Sequence, residues 1–531
     1  MLKNHYPFPH FRPGVEAALD QIDAAVMAGK RFVFFRGPLG SGKSAVAAAW
    51  SAKFGGMVLT PTKMLQQQYA DTKEFEDRTW VIKGKANYQC PLDKLEKIMV
   101  DEAICCSDVV AKANREMIPW NDDPEFWKLD ERPSQALKKK CAATNTCPYY
   151  SLIRQIGKKP GAVLNYDLFV HIKPMPGGRK GVETGAFIAM DEAHQIISKI
   201  KSAFGYKVAN LHAVRVLGQK AARKKGEPAV PWLHRLSSLA HVVLKTETDQ
   251  KIAGSVLRFA NRLDKMLEQD IGRAEKFHID DSFEEVEVKP LDFRHLKEAL
   301  FGPYKHVLLL SATFPHNFCD LLGIKPEEVA VIQIPSTFPA KNRPAIVVKG
   351  MPGINYETVL DDKHPAKVAM DLILKEHAEE KGLVHCSNYK FFNQLRQLYR
   401  KNPRFLWVDR DDDKAEFLKR HAESKKSTIL VSPSMMEGVD LKDDLARFQV
   451  LLKLPFPALD DYTRKMMALF PNYYENLVAT SIVQAYGRAV RSETDHARFY
   501  ILDGSIQRLL TQHRALFSNY FTEALCSLSI I

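Results

Sequence analysis

One stretch of eight residues constrains this chain more than any other: Gly37-Pro38-Leu39-Gly40-Ser41-Gly42-Lys43-Ser44 is a complete phosphate-binding loop. The apolar run Arg31-Phe32-Val33-Phe34-Phe35 precedes it, and an Ala-rich helical stretch from Lys43 to Ala52 follows. That is the strand–loop–helix setting such a loop needs. Glycines let successive backbone N–H groups curl around phosphate oxygens, and the helix N-terminus adds its dipole. The pattern assigns Gly37, Gly40, Ser41 and Gly42 to the phosphate cradle, Lys43 to the β/γ-phosphates and the Ser44 hydroxyl to Mg²⁺. A plain glycine turn would account for neither the lysine nor the hydroxyl.

A second signal, Asp191-Glu192-Ala193-His194, stands directly after the apolar run Ala186–Met190. A carboxylate at the end of a strand beside the loop is where a phosphate-transferring enzyme holds its metal, so Asp191 pairs with Ser44 around Mg²⁺. Glu192 then orients or deprotonates the attacking water, and His194 couples the nucleotide to neighbouring loops.

Around these motifs, short apolar runs alternate with helical patterns, as in an α/β sheet. The runs are Phe32–Phe35, Met57–Thr60, Ala162–Leu164, Ala186–Met190 and His306–Leu310, and a second series follows at Ala345–Val348, Gly382–His385, Thr428–Val431, Val450–Leu454 and Arg498–Leu502. The alternation lapses twice. Between about Lys85 and Pro148 lies a charged, cysteine-bearing segment, and from about Ile197 to Leu300 the apolar spacing is helical with few β signals. Both read as insertions.

Five of the eight cysteines, Cys90, Cys105, Cys106, Cys141 and Cys147, fall in the first insertion. No apolar signal core opens the chain, and no run approaches the ~18 apolar residues of a membrane span. A soluble protein of a reducing, cytoplasmic compartment is expected, where clustered cysteines favour metal over disulfides. The lack of a Cys-x-x-Cys pair weakens a zinc-ribbon reading. A net charge of +13 suits a polyanionic partner, although 76 basic against 63 acidic residues is a thinly spread excess. A nucleoid-associated or viral setting is compatible with the same balance.

Taken in order, Gly37–Ser44, Thr60-Pro61-Thr62, Asp191–His194, Ser311-Ala312-Thr313, Glu437-Gly438-Val439-Asp440 and Gln484-Ala485-Tyr486-Gly487-Arg488-Ala489-Val490-Arg491 resemble the motif series of a superfamily 2 helicase. Asn87-Tyr88-Gln89-Cys90, Cys147-Pro148-Tyr149-Tyr150, Leu164-Asn165-Tyr166 and Leu454-Pro455-Phe456-Pro457 narrow the resemblance to the XPD/DinG group of iron–sulfur helicases. It runs over nearly the whole chain.

The resemblance implies an α/β fold of two tandem RecA-like P-loop domains, with an iron–sulfur insertion and a helical arch in the first. Helicase domain 1 would comprise residues 1–84, 149–196 and 301–340, the iron–sulfur insertion 85–148, the arch 197–300 and domain 2 residues 341–531. Gln484, Arg488 and Arg491 would act from domain 2 on the γ-phosphate of ATP, which needs charge stabilisation from outside its cradle. Gly438 and Asp440 would line the same cleft. A [4Fe–4S] cluster would be held by Cys90, Cys141, Cys147 and either Cys105 or Cys106. Nucleic acid would meet Thr60, Thr62, Ser311 and Thr313 through its phosphates and Lys83, Tyr88 and Tyr166 near the bases. Tyr149 and Tyr150 are further stacking candidates.

The implied function is an ATP-dependent DNA helicase translocating 5′→3′ on single strands and separating forked duplex at an iron–sulfur/arch wedge. The alternative is a motor that remodels nucleoprotein or RNA–DNA hybrids without processive unwinding. A monomer is expected, and a role in DNA repair is one of several pathways consistent with such a motor. One departure stands out: relatives carry an adenine-reading glutamine after an Arg-Pro-Gly-like entry, whereas Phe11-Arg12-Pro13-Gly14 is followed here by Val15-Glu16.

Overall fold

The computed structural model describes residues 1–38, 40–72, 79–91, 105, 133–155, 161–172, 187–269, 271–409, 412–433, 441–490 and 492–529. In the first unit, β1 (Phe32–Arg36), β2 (Gly56–Thr60), β3 (Thr79–Ile82), β4 (Gly161–Asn165), β5 (Phe187–Asp191), β9 (His306–Ser311) and β10 (Val329–Gln333) form one sheet. Its order is β10-β1-β9-β5-β2-β4-β3, with every pairing parallel. Strands buried on both faces must be apolar throughout, and β1 shows why. Phe32 and Phe34 enter one core layer, whereas Val33 and Phe35 enter the other. The helix Lys43–Phe54 brings Val46 and Trp50 to the second layer.

The second unit repeats the scheme with β11 (Ala345–Val348), β12 (Gly382–His385), β13 (Phe405–Trp407), β14 (Ile429–Ser432), β15 (Phe448–Leu451), β16 (Arg498–Ile501) and β17 (Leu525–Leu528). The order is β13-β14-β12-β15-β16-β11-β17, again parallel. Two parallel-sheet α/β units of RecA type therefore stand in tandem.

The insertion expected to be helical is mixed. Strands β6 (Tyr206–Ala209), β7 (Phe277–Asp281) and β8 (Glu285–Pro290) form an antiparallel sheet beside the helices Asn210–Leu217, Ala229–Thr246 and Gln250–Leu267. In β8, Val286 and Val288 point inward while Glu285, Glu287 and Lys289 do not, a period-two alternation that marks a sheet with one wet face. The insertion has a core of its own, built on Trp232, Leu236, Phe259, Leu263 and these valines. The helix Ile196–Phe204, sequentially at its start, packs instead into the first unit, so the separate core begins near Tyr206.

A contact between units was not legible in the chain. Tyr462, Met466, Phe470 and Tyr473, all sequentially in the second unit, are buried in the core layer that holds Phe32, Met190 and Phe293 of the first. The Tyr462 hydroxyl donates to the Pro290 carbonyl at 3.0 Å, tying the same segment to the base of the insertion. Replacing buried Met466 by alanine should cost ~2–5 kcal/mol, the usual range for emptying a core site. Urea unfolding checks this; a loss below ~1 kcal/mol would show that the helix Asp461–Leu469 is not part of the shared core.

Candidate functional site

In a parallel sheet the loops after the strand C-termini share one edge, where ligands bind. That edge gathers the phosphate loop after β1, Thr60 at the end of β2, Asp191 at the end of β5 and Ser311 at the end of β9. Gly40 and Gly42 have φ of 75° and 85°, a left-handed conformation that side chains rarely adopt. A Cβ on Gly37 would stand 2.5 Å from Ser41 Oγ. Ser41 Oγ itself is buried without a hydrogen-bond partner, an orphaned hydroxyl inside the cradle that a phosphate oxygen would satisfy.

Lys43 leans over the loop. Its Nζ lies 3.4 Å and 3.3 Å from the Gly37 and Pro38 carbonyls and 3.7 Å from Glu192 Oε1. The Ser44 hydroxyl donates to Asp191 Oδ2 at 2.9 Å. These two oxygens, one neutral and one carboxylate, are the hard donors Mg²⁺ takes when its other positions go to phosphate and water. Two tyrosines complete the setting, and the sequence reading gave neither this role. Tyr69 donates to Asp191 Oδ2 at 3.2 Å, and Tyr166 donates to the Asp191 carbonyl at 2.8 Å. Burial, followed by the Glu192 charge, pushes the Asp191 carboxyl up to about 6, against the pull of Lys43, Ser44 and Tyr69. Glu192 adopts a left-handed backbone, φ 52°, uncommon outside glycine and asparagine. Such strain at a strand end is what aims a side chain at a reacting group.

The next contact crosses between units. Gln484 Nε2 meets His194 Nε2 at 2.5 Å, and His194 Nδ1 lies 2.8 Å from Ser311 Oγ. Ser311 Oγ donates to the Thr313 carbonyl at 2.7 Å. With the amide donating, the imidazole proton sits on Nδ1 and the bonds run in one direction from Gln484 to Thr313. Arg488 Nε donates to the Gln484 carbonyl at 2.9 Å, one helical turn further along. Arg491, Gly438, Asp440 and Cys106 lie outside the described residues.

Several residues expected to touch nucleic acid are otherwise engaged. Tyr166 is fully buried, so its ring offers no face to a base. Thr60 and Ser311 are also fully buried, their hydroxyls spent on the Thr62 and Thr313 carbonyls. Thr62 caps the helix Lys63–Asp71 by accepting from Leu65 N, and Thr313 is buried. Lys83 is exposed at Nζ, which reaches Gln67, and its backbone N–H donates to the hydroxyl of half-buried Tyr88 at 3.2 Å. Tyr88 stacks obliquely on Tyr149 at 5.6 Å.

Those tyrosines border the cysteines. Cys90, Cys141 and Cys147 are buried, and Cys141 and Cys147 pack with Tyr149. Burial, and then the charges of Cys105, Cys147 and Cys90, push the Cys141 thiol up to about 12. Four thiols within mutual electrostatic reach are a soft donor set that fits an iron–sulfur cluster. Burial pushes the Cys105 thiol up, and the nearby Lys138 and Lys85 charges offset only part of that rise. Among the described residues no three acidic, histidine or cysteine groups already stand around a single ion site.

A cavity of about 310 Å³ opens beside the phosphate loop, lined by Arg12, Ser41, Thr337, Phe338, Ser492 and Glu493 among others. The Arg12 guanidinium donates to the Gly40 carbonyl. Glu16, at the position where the glutamine was sought, pairs instead with Lys3 at 3.6 Å.

The chain has similar proteins among those already known. The helicase C-terminal domain family matches residues 372–524. The chain is similar to the ATP-dependent DNA helicase YoaA of Haemophilus influenzae, 20% identical across 93% of this chain and 91% of that protein. It is also similar to the ATP-dependent DNA helicase DinG of Photobacterium profundum, 24% identical over 60% of this chain and 46% of that one. Among solved structures, an XPD helicase superposes with a TM-score of 0.64 at 16% identity, covering 98% of this chain and 100% of its own, a likeness of fold. The chain is thus similar to superfamily 2 helicases, and the helicase C-terminal match with these named relatives supports an enzyme of the ATP-hydrolysing class. Within that superfamily its likeness is to the XPD/DinG type.

Tyr69→Phe removes one hydrogen bond from the buried carboxylate and should raise the Asp191 pKa further. The Mg²⁺ concentration for half-maximal hydrolysis should then rise roughly 5- to 10-fold, for a loss of ~1 kcal/mol or slightly more. The rise should be larger at pH 6 than at pH 8, because more of the carboxyl is protonated there. Metal titrations of hydrolysis at both pH values check this.

Proposed function

We propose that this chain is an ATP-driven DNA helicase that translocates 5′→3′ on single-stranded DNA and separates duplex where the strand meets the cysteine-bearing and inserted units. The observation that carries the reading is the His194–Gln484 bond, which joins the Lys43–Ser44–Asp191–Glu192 set of one unit to the helix Tyr473–Tyr486 of the other, just ahead of Arg488. ATP in the cleft draws the two units together, with Arg488 and Arg491 stabilising charge on the γ-phosphate. Hydrolysis and release of phosphate free them, and the alternation is the stroke. Glu192 orients the water, and Ser44 and Asp191 would hold a Mg²⁺ ion, whose charge would offset that of the phosphates. His194 passes the change to Ser311 and Thr313, which shape the loop after β9 rather than grip the strand themselves.

Cys90, Cys141, Cys147 and either Cys105 or Cys106 would hold a [4Fe–4S] cluster, which would supply a structural cross-link among these thiolates. The names of YoaA and DinG support DNA as the substrate, and the net charge of +13 agrees. Forked DNA and RNA–DNA hybrids are the structured substrates proposed, with the chain acting as a monomer. No described helix is long and apolar enough to cross a membrane.

ATP hydrolysis should rise with single-stranded DNA, and Lys43→Ala should lower it by ~100-fold or more, as loss of a principal charge on the transferring phosphate does. Equal hydrolysis by the variant would defeat the assignment. Tailed duplexes decide polarity: unwinding is expected from a 5′ tail, and preference for a 3′ tail would reverse it. Displacement of a bound protein without unwinding of a naked fork would favour the remodelling motor instead.

Cys147→Ser should remove the visible iron absorbance and abolish unwinding while leaving much of the DNA-independent hydrolysis. Normal unwinding by a colourless variant would exclude the cluster from strand separation.

A further inference from the structure

The link between the two units is more than a tether. After β10 it runs along the cavity beside the phosphate loop, where Thr337 and Phe338 form part of the wall. It then makes a single turn, Ala340–Asn342, and enters β11. Two adjacent residues of that turn reach the segment that carries Arg488 and Arg491, one at each end.

Arg343 reaches the near end. Its side chain is 2% exposed, and a guanidinium so deeply buried must have its donors satisfied. Nε donates to the Phe338 carbonyl at 3.0 Å, and Nη1 donates to the Tyr486 hydroxyl at 2.9 Å. Tyr486 returns a bond, its hydroxyl donating to the Arg343 carbonyl at 2.6 Å. The Tyr520 carbonyl and the Glu523 carboxylate take further guanidinium donors, and the Tyr520 ring lies 3.8 Å from the guanidinium carbon. Asn342 reaches the far end: Nδ2 donates to the Glu493 carbonyl at 2.9 Å, and its own carbonyl accepts from Ala497 N at 2.9 Å. Tyr486 precedes Arg488 by two residues, and Glu493 follows Arg491 by two.

We propose that the turn Ala340–Arg343 sets the height of the arginine-bearing segment against the nucleotide, with Arg343, Asn342 and Tyr486 as positioning residues for hydrolysis. Phe338 in the cavity wall and Tyr486 at the base of the arginine segment hang on one guanidinium, whose planar fork holds both at fixed distance. A nucleotide that moves the wall moves the arginine segment with it. Occupancy of the cavity is thereby felt at the γ-phosphate without any contact between the base and the arginines. The reading rests on ATP hydrolysis as proposed above.

The test compares the full-length chain with Tyr486→Phe, which deletes only the hydroxyl shared with Arg343, and with Asn342→Ala at the half-buried far end. The readouts are kcat and KM for ATP at saturating single-stranded DNA, the Kd of a fluorescent ATP analogue, and Tm. Tyr486→Phe, which loses both bonds of that hydroxyl, should lower kcat about tenfold and Asn342→Ala, which loses one side-chain bond, about threefold, the sizes expected for losing hydrogen bonds that orient a transition-state group. KM and Kd should stay within about twofold, because ground-state binding is untouched. Should Tyr486→Phe fail to fold, Asn342→Ala decides alone. Unchanged kcat in folded variants, or kcat falling only in step with Kd and Tm, would overturn the positioning role. A wild-type chain that hydrolyses no ATP would instead overturn the function on which it rests.

Discussion

Everything in the nucleotide site depends on keeping one carboxylate charged where water is nearly absent. Asp191 is 2% exposed at the end of β5, and burial alone would drive it towards its neutral form. What holds it in reach of ionisation is a set of partners drawn from separate β–α units: the Ser44 hydroxyl from the helix after β1, the Tyr69 hydroxyl from the helix after β2, and the Lys43 ammonium nearby. Only a sheet in which β5 lies between β9 and β2 can bring those helices to one point. The strand order is thus tied to the chemistry, and an ion such as Mg²⁺ finds its oxygen donors already converged.

From that carboxylate the same loop leads outward. Glu192, in its left-handed backbone, faces Lys43, and His194 two residues on bonds to both Ser311 and Gln484. One short loop therefore runs from the buried Asp191 carboxylate to the His194–Gln484 bond that joins the second unit. The core shared around Met466 ties the second unit to the first, and buried Arg343 ties the link to Tyr486 of the second unit.

How legible the fold was in the chain follows burial. The inner strands β1, β2, β4, β5 and β9, and β11, β12, β14, β15 and β16 of the second unit, were readable as apolar runs, with β15 two residues earlier than its run suggested. The strands not anticipated in the two large sheets, β3, β10, β13 and β17, are the four edges. An edge strand packs less completely: β10 reads Val-Ala-Val-Ile-Gln, yet only Ile332 of it is buried, so its short apolar run did not stand out as a core strand. The inserted sheet escaped for a related reason, because its alternating Val286 and Val288 are a short signal beside long helical stretches. Among the described site residues, Lys43, Ser44, Asp191 and Glu192 lie at one strand edge with His194 bonded to Gln484, whereas Tyr166, Thr60 and Ser311 are buried with their hydroxyls on backbone carbonyls, a placement no short stretch of sequence shows.

The amino-acid order by itself determined the chemistry of the nucleotide cradle. A left-handed glycine, a lysine at the first helical turn and an acidic pair after an apolar strand are demands of the local backbone and of phosphate, and they survive in a linear string. Only the tertiary structure decided which distant groups serve that cradle. Tyr69 and Asp191 are 122 residues apart, His194 and Gln484 290 apart. Their pairing rests on strand order and on the cost of leaving a buried polar group alone, and neither is written in any short stretch of sequence.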